Sequence, residues 1–208
     1  MGSSLKYFYE NFADASEYHI YSFEANPNFH NHYYAGKHSL GIKNFNSKKF
    51  EYIPKAVWTE NTVKTFYRRT KWHSESSTLS EEKYNIRTAK GQGFEKELVQ
   101  CIDFPSWFKE TISKEDYIIL KMDIEGSEYE VLEKMYQLDL MGYINEFYCE
   151  LHNIKCGKGR EDDKRIIDQA AENGLTAYYW DANKDANCLF RESVYDYDYI
   201  NDPNYPRF

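Results

Sequence analysis

The clearest change of pattern along this chain runs from residue 117 to residue 137. Tyr117-Ile118-Ile119-Leu120 is a short apolar run, bounded by Asp116 and by the acidic turn Asp123-Ile124-Glu125-Gly126-Ser127-Glu128. Such a run reads as a buried strand. From Glu128 to Gln137 the period becomes helical, with Tyr129, Leu132, Met135 and Tyr136 at helix spacing. The strand therefore delivers Asp123, Glu125 and Glu128 almost together. Carboxylates buried without partners cost several kcal/mol, so a strand that ends this way ends at a polar cleft. Ligands of open α/β sheets bind at the carboxyl ends of the strands.

The same patterns predict the other elements. Ser3 or Ser4 caps a helix over 5–12, and a strand over 19–24 is stopped by Ala25-Asn26-Pro27. A helix over 29–37 follows, then a strand over 50–58 in which Pro54 forces an edge or bulge. Residues 63–69 alternate like a half-exposed strand. Segment 72–93 is polar and the least periodic, and a loop of that length is a lid, an acceptor loop or disordered. A strand over 94–103, a helix over 105–112 and a strand over 144–152 come next. Residues 160–173 form an amphipathic helix with Ile166, Ile167 and Ala170 inward and Gly174 as C-cap. A hairpin of 175–180 with 186–191 and an acidic, Tyr-rich tail over 195–208 close the chain. This β-α-β-α alternation predicts one α/β domain over 1–208, with a mostly parallel central sheet, helices on both faces and a C-terminal antiparallel hairpin.

Composition narrows the function. The 208 residues carry a formal net charge of −8, which argues against a nucleic-acid surface. The one basic cluster, Arg68-Arg69-Thr70-Lys71, reads as a solvated strand edge or loop. Cys101, Cys149, Cys156 and Cys188 have no C-x-x-C pairing, as in free thiols of a reducing compartment, so a cytoplasmic setting is expected. No apolar run approaches the roughly 18–20 residues of a membrane span, and no secretory pattern opens the chain. Aromatic residues make up 18%. Their flat faces suit sugar rings, although most are expected in the core.

Four segments, in this order, resemble the FkbM-type family of S-adenosylmethionine-dependent methyltransferases. They are Tyr21-Ser22-Phe23-Glu24-Ala25-Asn26-Pro27, Ala56-Val57-Trp58, Ser76-Ser77-Thr78-Leu79, and Lys121-Met122-Asp123-Ile124-Glu125-Gly126-Ser127-Glu128-Tyr129-Glu130-Val131-Leu132. The last is close to the family's K-x-D-x-E-G-x-E-x-x-V-L signature, and Glu150-Leu151-His152 matches its E-x-H ending on the next strand. The resemblance implies a Rossmann-like fold and an S-adenosylmethionine site, with Glu24 on the ribose hydroxyls, Phe23, Ala25 and Asn26 around it, and Ala56, Val57 and Trp58 beside the adenine. The family opens with a strand ending in D-x-G-x-x-x-G. This chain begins Met1-Gly2-Ser3-Ser4-Leu5 directly before its first helix, so either Gly2 is expected in the place of the motif's last glycine, with Ser3 beside it, or residues 1–4 are no part of the motif, and in both readings the helix is expected to lack its preceding strand and acid.

The activity implied is methyl transfer to a hydroxyl of a small molecule or glycan, most simply a sugar. Asp123 then faces the transferring methyl, with Glu150 and His152 as the other catalytic candidates. Trp72, His73, Ser76, Ser77 and Glu125 are the acceptor side. Asp123 and Glu150 at adjacent strand ends suit a divalent metal such as Mg or Mn, or else a hydrogen-bonding network that holds the turn. Glu24 grips the ribose or caps the next helix. His152 is a general base, with an ordinary pKa near 6.5, or a hydrogen-bonded loop residue. Lys121 points away from the acids or pairs with one of them, while Glu128 reads as structural at a helix start. The rival from another class is a degenerate, non-catalytic methyltransferase-like domain acting as a carbohydrate-binding or interaction module. A dinucleotide enzyme is disfavoured, because no G-x-G-x-x-G is present.

Overall fold

A computed structural model of the protein describes residues 3–34, 45, 47–70 and 76–179. Helix α1 (Ser3–Asn11) sets Leu5, Phe8 and Tyr9 into a small separate core with Phe12, Ala15, Ile20 and Phe45. Strand β1 (Ile20–Phe23) pairs in parallel with β2 (Phe50–Ile53), Phe23 lying opposite Ile53. Helix α2 (Pro27–Tyr34) begins two residues earlier than its periodicity suggests. Asn26 explains this: its Oδ1 accepts the Asn28 N–H at 3.1 Å, and Pro27 suits the first helical position. The rest of the helix expected over 29–37 lies outside the described residues.

The strand expected over 50–58 is two strands. Pro54 brings no N–H, and the Lys55 N–H turns back to the Ile53 carbonyl at 2.8 Å. The chain thereby leaves one ladder for another: β3 (Ala56–Trp58) pairs in parallel with β5 (Phe94–Asp103), whose other edge carries β4 (Val63–Arg69) antiparallel. The loop expected over 72–93 is also corrected, because it contains helix α3 (Glu81–Ala89). Ser80 caps it by accepting the Lys83 N–H at 3.1 Å, and Glu81 and Glu82 occupy the first turn. Its buried residue is Lys83, so the helix has no apolar stripe for periodicity to find. Residues 71–75 lie outside the described part.

Asp103 caps α4 (Phe104–Thr111), and β6 (Ile119–Met122), α5 (Glu128–Gln137), β7 (Glu146–Cys149), α6 (Arg160–Glu172) and β8 (Ala177–Tyr179) follow. Strands β6, β7 and β8 form an all-parallel sheet in that order. Over it lies the main core, where Val131, Leu132, Met135, Leu140, Phe147, Ile166 and Ala170 are at most 1% exposed. Burying each of the larger apolar side chains is worth about 1.5–3 kcal/mol. From the segment expected over 175–180, Ala177–Tyr179 joins β7 in parallel as β8, while residue 180 and the expected hairpin mate, 186–191, lie outside the described residues.

The fold is thus mixed α/β with helices and parallel strands, and among the described residues the strands pair as separate ladders rather than as the one central sheet expected from the alternation. The described strands make three ladders, β1–β2, β3–β5–β4 and β6–β7–β8. Backbone pairing needs strands about 4.7–4.9 Å apart. Among the described residues no strand takes that place beside β1 or β6 on the edge each has left.

Candidate functional site

Register builds the site. Met122 lies opposite Cys149, and the Glu150 N–H donates to the Met122 carbonyl at 3.0 Å. Asp123 and Glu150 are therefore in step at the carboxyl ends of neighbouring strands. The chain then turns through two residues of positive φ, Glu125 at +58° and Gly126 at +115°. A Cβ on Gly126 would lie 2.3 Å from Cys156 Sγ, so only glycine fits there. Glu125 is not a glycine, and the left-handed region costs it about 1–2 kcal/mol. Its carbonyl accepts the Thr78 hydroxyl at 2.6 Å and faces Cys156 Sγ at 3.8 Å, while its carboxylate pairs with Lys83.

His152 sits in the middle of the acids, with its side chain 1% exposed. Its Nδ1 bonds to Glu128 Oε1 at 2.9 Å. Its Nε2 lies 3.2 Å from Glu125, 3.4 Å from Glu150 and 3.9 Å from Asp123. Burial alone would push the imidazole pKa down. The charge and hydrogen bond of Glu128, the bond to Glu150 and the charge of Glu125 overcome it and hold the value up at about 10. Burial also pushes Glu125 up, but the Lys83 and His152 charges win and hold it at about 2. The surrounding carboxylates thus favour the protonated ring, a form that has no lone pair to take a proton.

Glu128 is fully buried and already occupied. Its oxygens accept the Ile124 and Gly126 N–H groups at 2.9 and 2.7 Å besides the imidazole. This is the structural role expected of it, through hydrogen bonds to the turn as well as its place at the helix start. Lys121 resolves to the second of its alternatives, pairing with Asp123 at 2.8 Å. Next to His152, buried Asn153 donates to Asp163 of α6 at 2.6 Å, and the Tyr129 hydroxyl of α5 donates to the same carboxylate at 2.7 Å.

A second acidic tip lies at the end of β1. Glu24 Oε1 accepts the Asn26 N–H at 2.7 Å. Burial pushes the Glu24 carboxyl up to about 7; the Asn26 amide opposes this and the nearby Asp123 charge adds to it. Asn26 is 2% exposed, and its Nδ2 finds no acceptor among the described residues. Ala25, Ala56 and Trp58 share one apolar cluster, so the β1 tip and β3 are neighbours. Val57 is buried in the main core, and Phe23 packs there too, against Phe104 and Trp107. The Trp58 ring carries Lys64 Nζ at 3.8 Å from its centroid.

Of the acceptor-side residues, Glu125 lies in the cluster. Ser77 is spent on the Arg69 N–H at 3.0 Å, and Ser76 is at a positive φ of 64°. Thr78 connects their segment to the acids, pairing with the Tyr67 backbone and donating to Glu125. Ser3 opens α1, while Gly2, Trp72 and His73 lie outside the described residues. Thr78 and Lys83 are the supporting residues that sequence reasoning missed.

Asp123, Glu128 and His152 each offer a ligand atom, all within 4.8 Å of one another. The donors fit a cation poorly: Asp123 is on Lys121, Glu128 is saturated, and the imidazolium carries the positive charge a metal would bring. No described helix is long and apolar enough to cross a membrane. No curated protein and no solved structure gives a match. The family described as the methyltransferase FkbM domain matches residues 3–175, and the acids and histidine above lie inside that span. The chain belongs to the FkbM methyltransferase domain family.

Proposed function

We propose that the protein is an S-adenosylmethionine-dependent O-methyltransferase whose acceptor is a sugar hydroxyl. The observation that carries the reading is the gathering of Asp123, Glu125 and Glu150 around one His152 Nε2 at the ends of β6 and β7. Several carboxylates at one tip can accept hydrogen bonds from several hydroxyls, which a sugar supplies and most other acceptors do not. The tip of β1 fits the donor's ribose: Glu24 brings acceptor oxygens and Asn26 a buried, unpartnered amide donor. A vicinal diol satisfies both. When bound, S-adenosylmethionine supplies an electrophilic methyl on a sulfonium.

The chain's own residues do the rest. Asp123 accepts the proton of the attacking hydroxyl at the carboxylate that Lys121 orients. Glu125 and Glu150 hold neighbouring hydroxyls and so fix the angle of approach. His152, as imidazolium, keeps the three carboxylates together and offsets their repulsion. No step is routed through a metal. The free, buried thiols Cys101, Cys149 and Cys156 go with a cytoplasmic setting.

The test is calorimetry with S-adenosylhomocysteine, followed by transfer of a labelled methyl to free sugars. Binding and transfer are expected, with transfer abolished by Asp123→Asn while fold and ligand affinity persist. A folded chain that binds sugars but no S-adenosylhomocysteine would be a binding module instead.

A further inference from the structure

We propose that Lys83 is a positioning residue for the acceptor side of this site, acting by holding Glu125 at the end of β6. The inference rests on the acceptor role given to Glu125 above. Lys83 has no exposed side-chain surface, whereas Glu125 keeps 23% of its own. The lysine lies behind the carboxylate and reaches a ligand only through it.

Nothing in α3 itself calls for this lysine. Residue 83 stands in the first turn, where the helix dipole disfavours a positive charge, and full burial of an ammonium costs several kcal/mol unless it is paired. The compensation comes from Glu125, 42 residues away in sequence. Glu125 in turn adopts a left-handed backbone that a non-glycine residue keeps only when its surroundings over-determine it. Three segments do so. Lys83 of α3 takes the carboxylate, Thr78 donates to the carbonyl at 2.6 Å, and Cys156 backs the same carbonyl at 3.8 Å. The Glu125 oxygen that meets Lys83 is also the one 3.2 Å from His152 Nε2. Freeing it would release both the turn and the imidazole that gathers the acids.

Hydrogen exchange on Lys83→Met, Lys83→Arg and Thr78→Val tests this without an acceptor. The amides of Ile124 and Gly126, which donate to Glu128, should exchange about tenfold faster in Lys83→Met, as expected for loss of a charge-assisted bond. Exchange in α6 should not change, and Lys83→Arg should restore protection. Thr78→Val cuts another strut of the same residue and decides the matter if Lys83→Met does not fold. In labelled-methyl transfer to free hexoses, Lys83→Met should raise the acceptor KM about tenfold, with S-adenosylhomocysteine affinity kept within about twofold and Lys83→Arg recovering the KM. Unchanged exchange at Ile124 and Gly126 in a folded variant overturns the proposal, as does equal loss of donor and acceptor binding. A wild-type chain that binds no S-adenosylhomocysteine sinks the donor-site reading alone, since the exchange result stands without turnover.

Discussion

Replacing Gly126 by alanine probes how tightly the turn after β6 is held. The backbone there has φ +115°, which costs an L-residue about 1–2 kcal/mol. The new methyl would stand 2.3 Å from Cys156 Sγ, 3.3 Å from Cys156 Cβ and 3.4 Å from Ser80 Cβ. Cys156 is 2% exposed, so its sulfur has little room to swing away, and overpacking of this kind costs about 1–3 kcal/mol. Together these give a loss of about 3 kcal/mol for Gly126→Ala. Cys156→Ala removes the 2.3 Å contact but leaves the 3.3 Å one and the backbone strain. The double variant should therefore be about 1–2 kcal/mol more stable than the sum of the two single losses. Urea unfolding followed by far-ultraviolet circular dichroism measures all four corners of the cycle, provided the slopes agree. Additivity within about 0.5 kcal/mol would refute the steric reasoning and leave only the backbone term.

Three further outcomes are expected. Glu128→Gln puts an amide NH2 among buried N–H donors and should cost about 3 kcal/mol or more in urea unfolding, with the His152 pKa falling below about 10 in an NMR titration; an unchanged value would mean that Glu128 does not hold the proton. Glu24 has its folded pKa raised from 4.5 to about 7, so its neutral form is favoured by folding and its contribution is lost as pH rises from about 4.5 through 7. Glu24→Gln should remove that decline, a gain relative to wild type of up to about 3 kcal/mol above pH 7, and parallel melting profiles from pH 4 to 8 would contradict it. Because the acids are engaged by Lys83, Lys121 and His152, methyl transfer should survive EDTA; restoration of lost activity by Mg2+ or Mn2+ would overturn the assignment.

The acidic end of β6 was legible because local pattern encodes it: an apolar run, a glycine turn and helical spacing lie within twenty residues. The Glu24 tip was legible for the same reason, since Asn26 and Pro27 both stop the strand and start α2. Helix α3 was not. Its inward side chain is a lysine, and what makes a buried lysine tolerable is a carboxylate on another element. The charge of His152 escaped for a similar reason, because ordinary imidazole chemistry holds only until Glu128, Glu125 and Glu150 surround the ring. Pro54 announced a break, but whether the chain rejoins its ladder or enters another depends on β5, some forty residues on.

The shared Asp163 carboxylate has a consequence for how variants are read. Asp163 stands on α6, yet it ties down Tyr129, next to Glu128, and Asn153, next to His152. A genetic screen scored by turnover alone would mark it as part of the reactive surface. It is better regarded as a rivet: its loss would blur the chemistry from behind, and melting curves recorded on the same clones would reveal the difference.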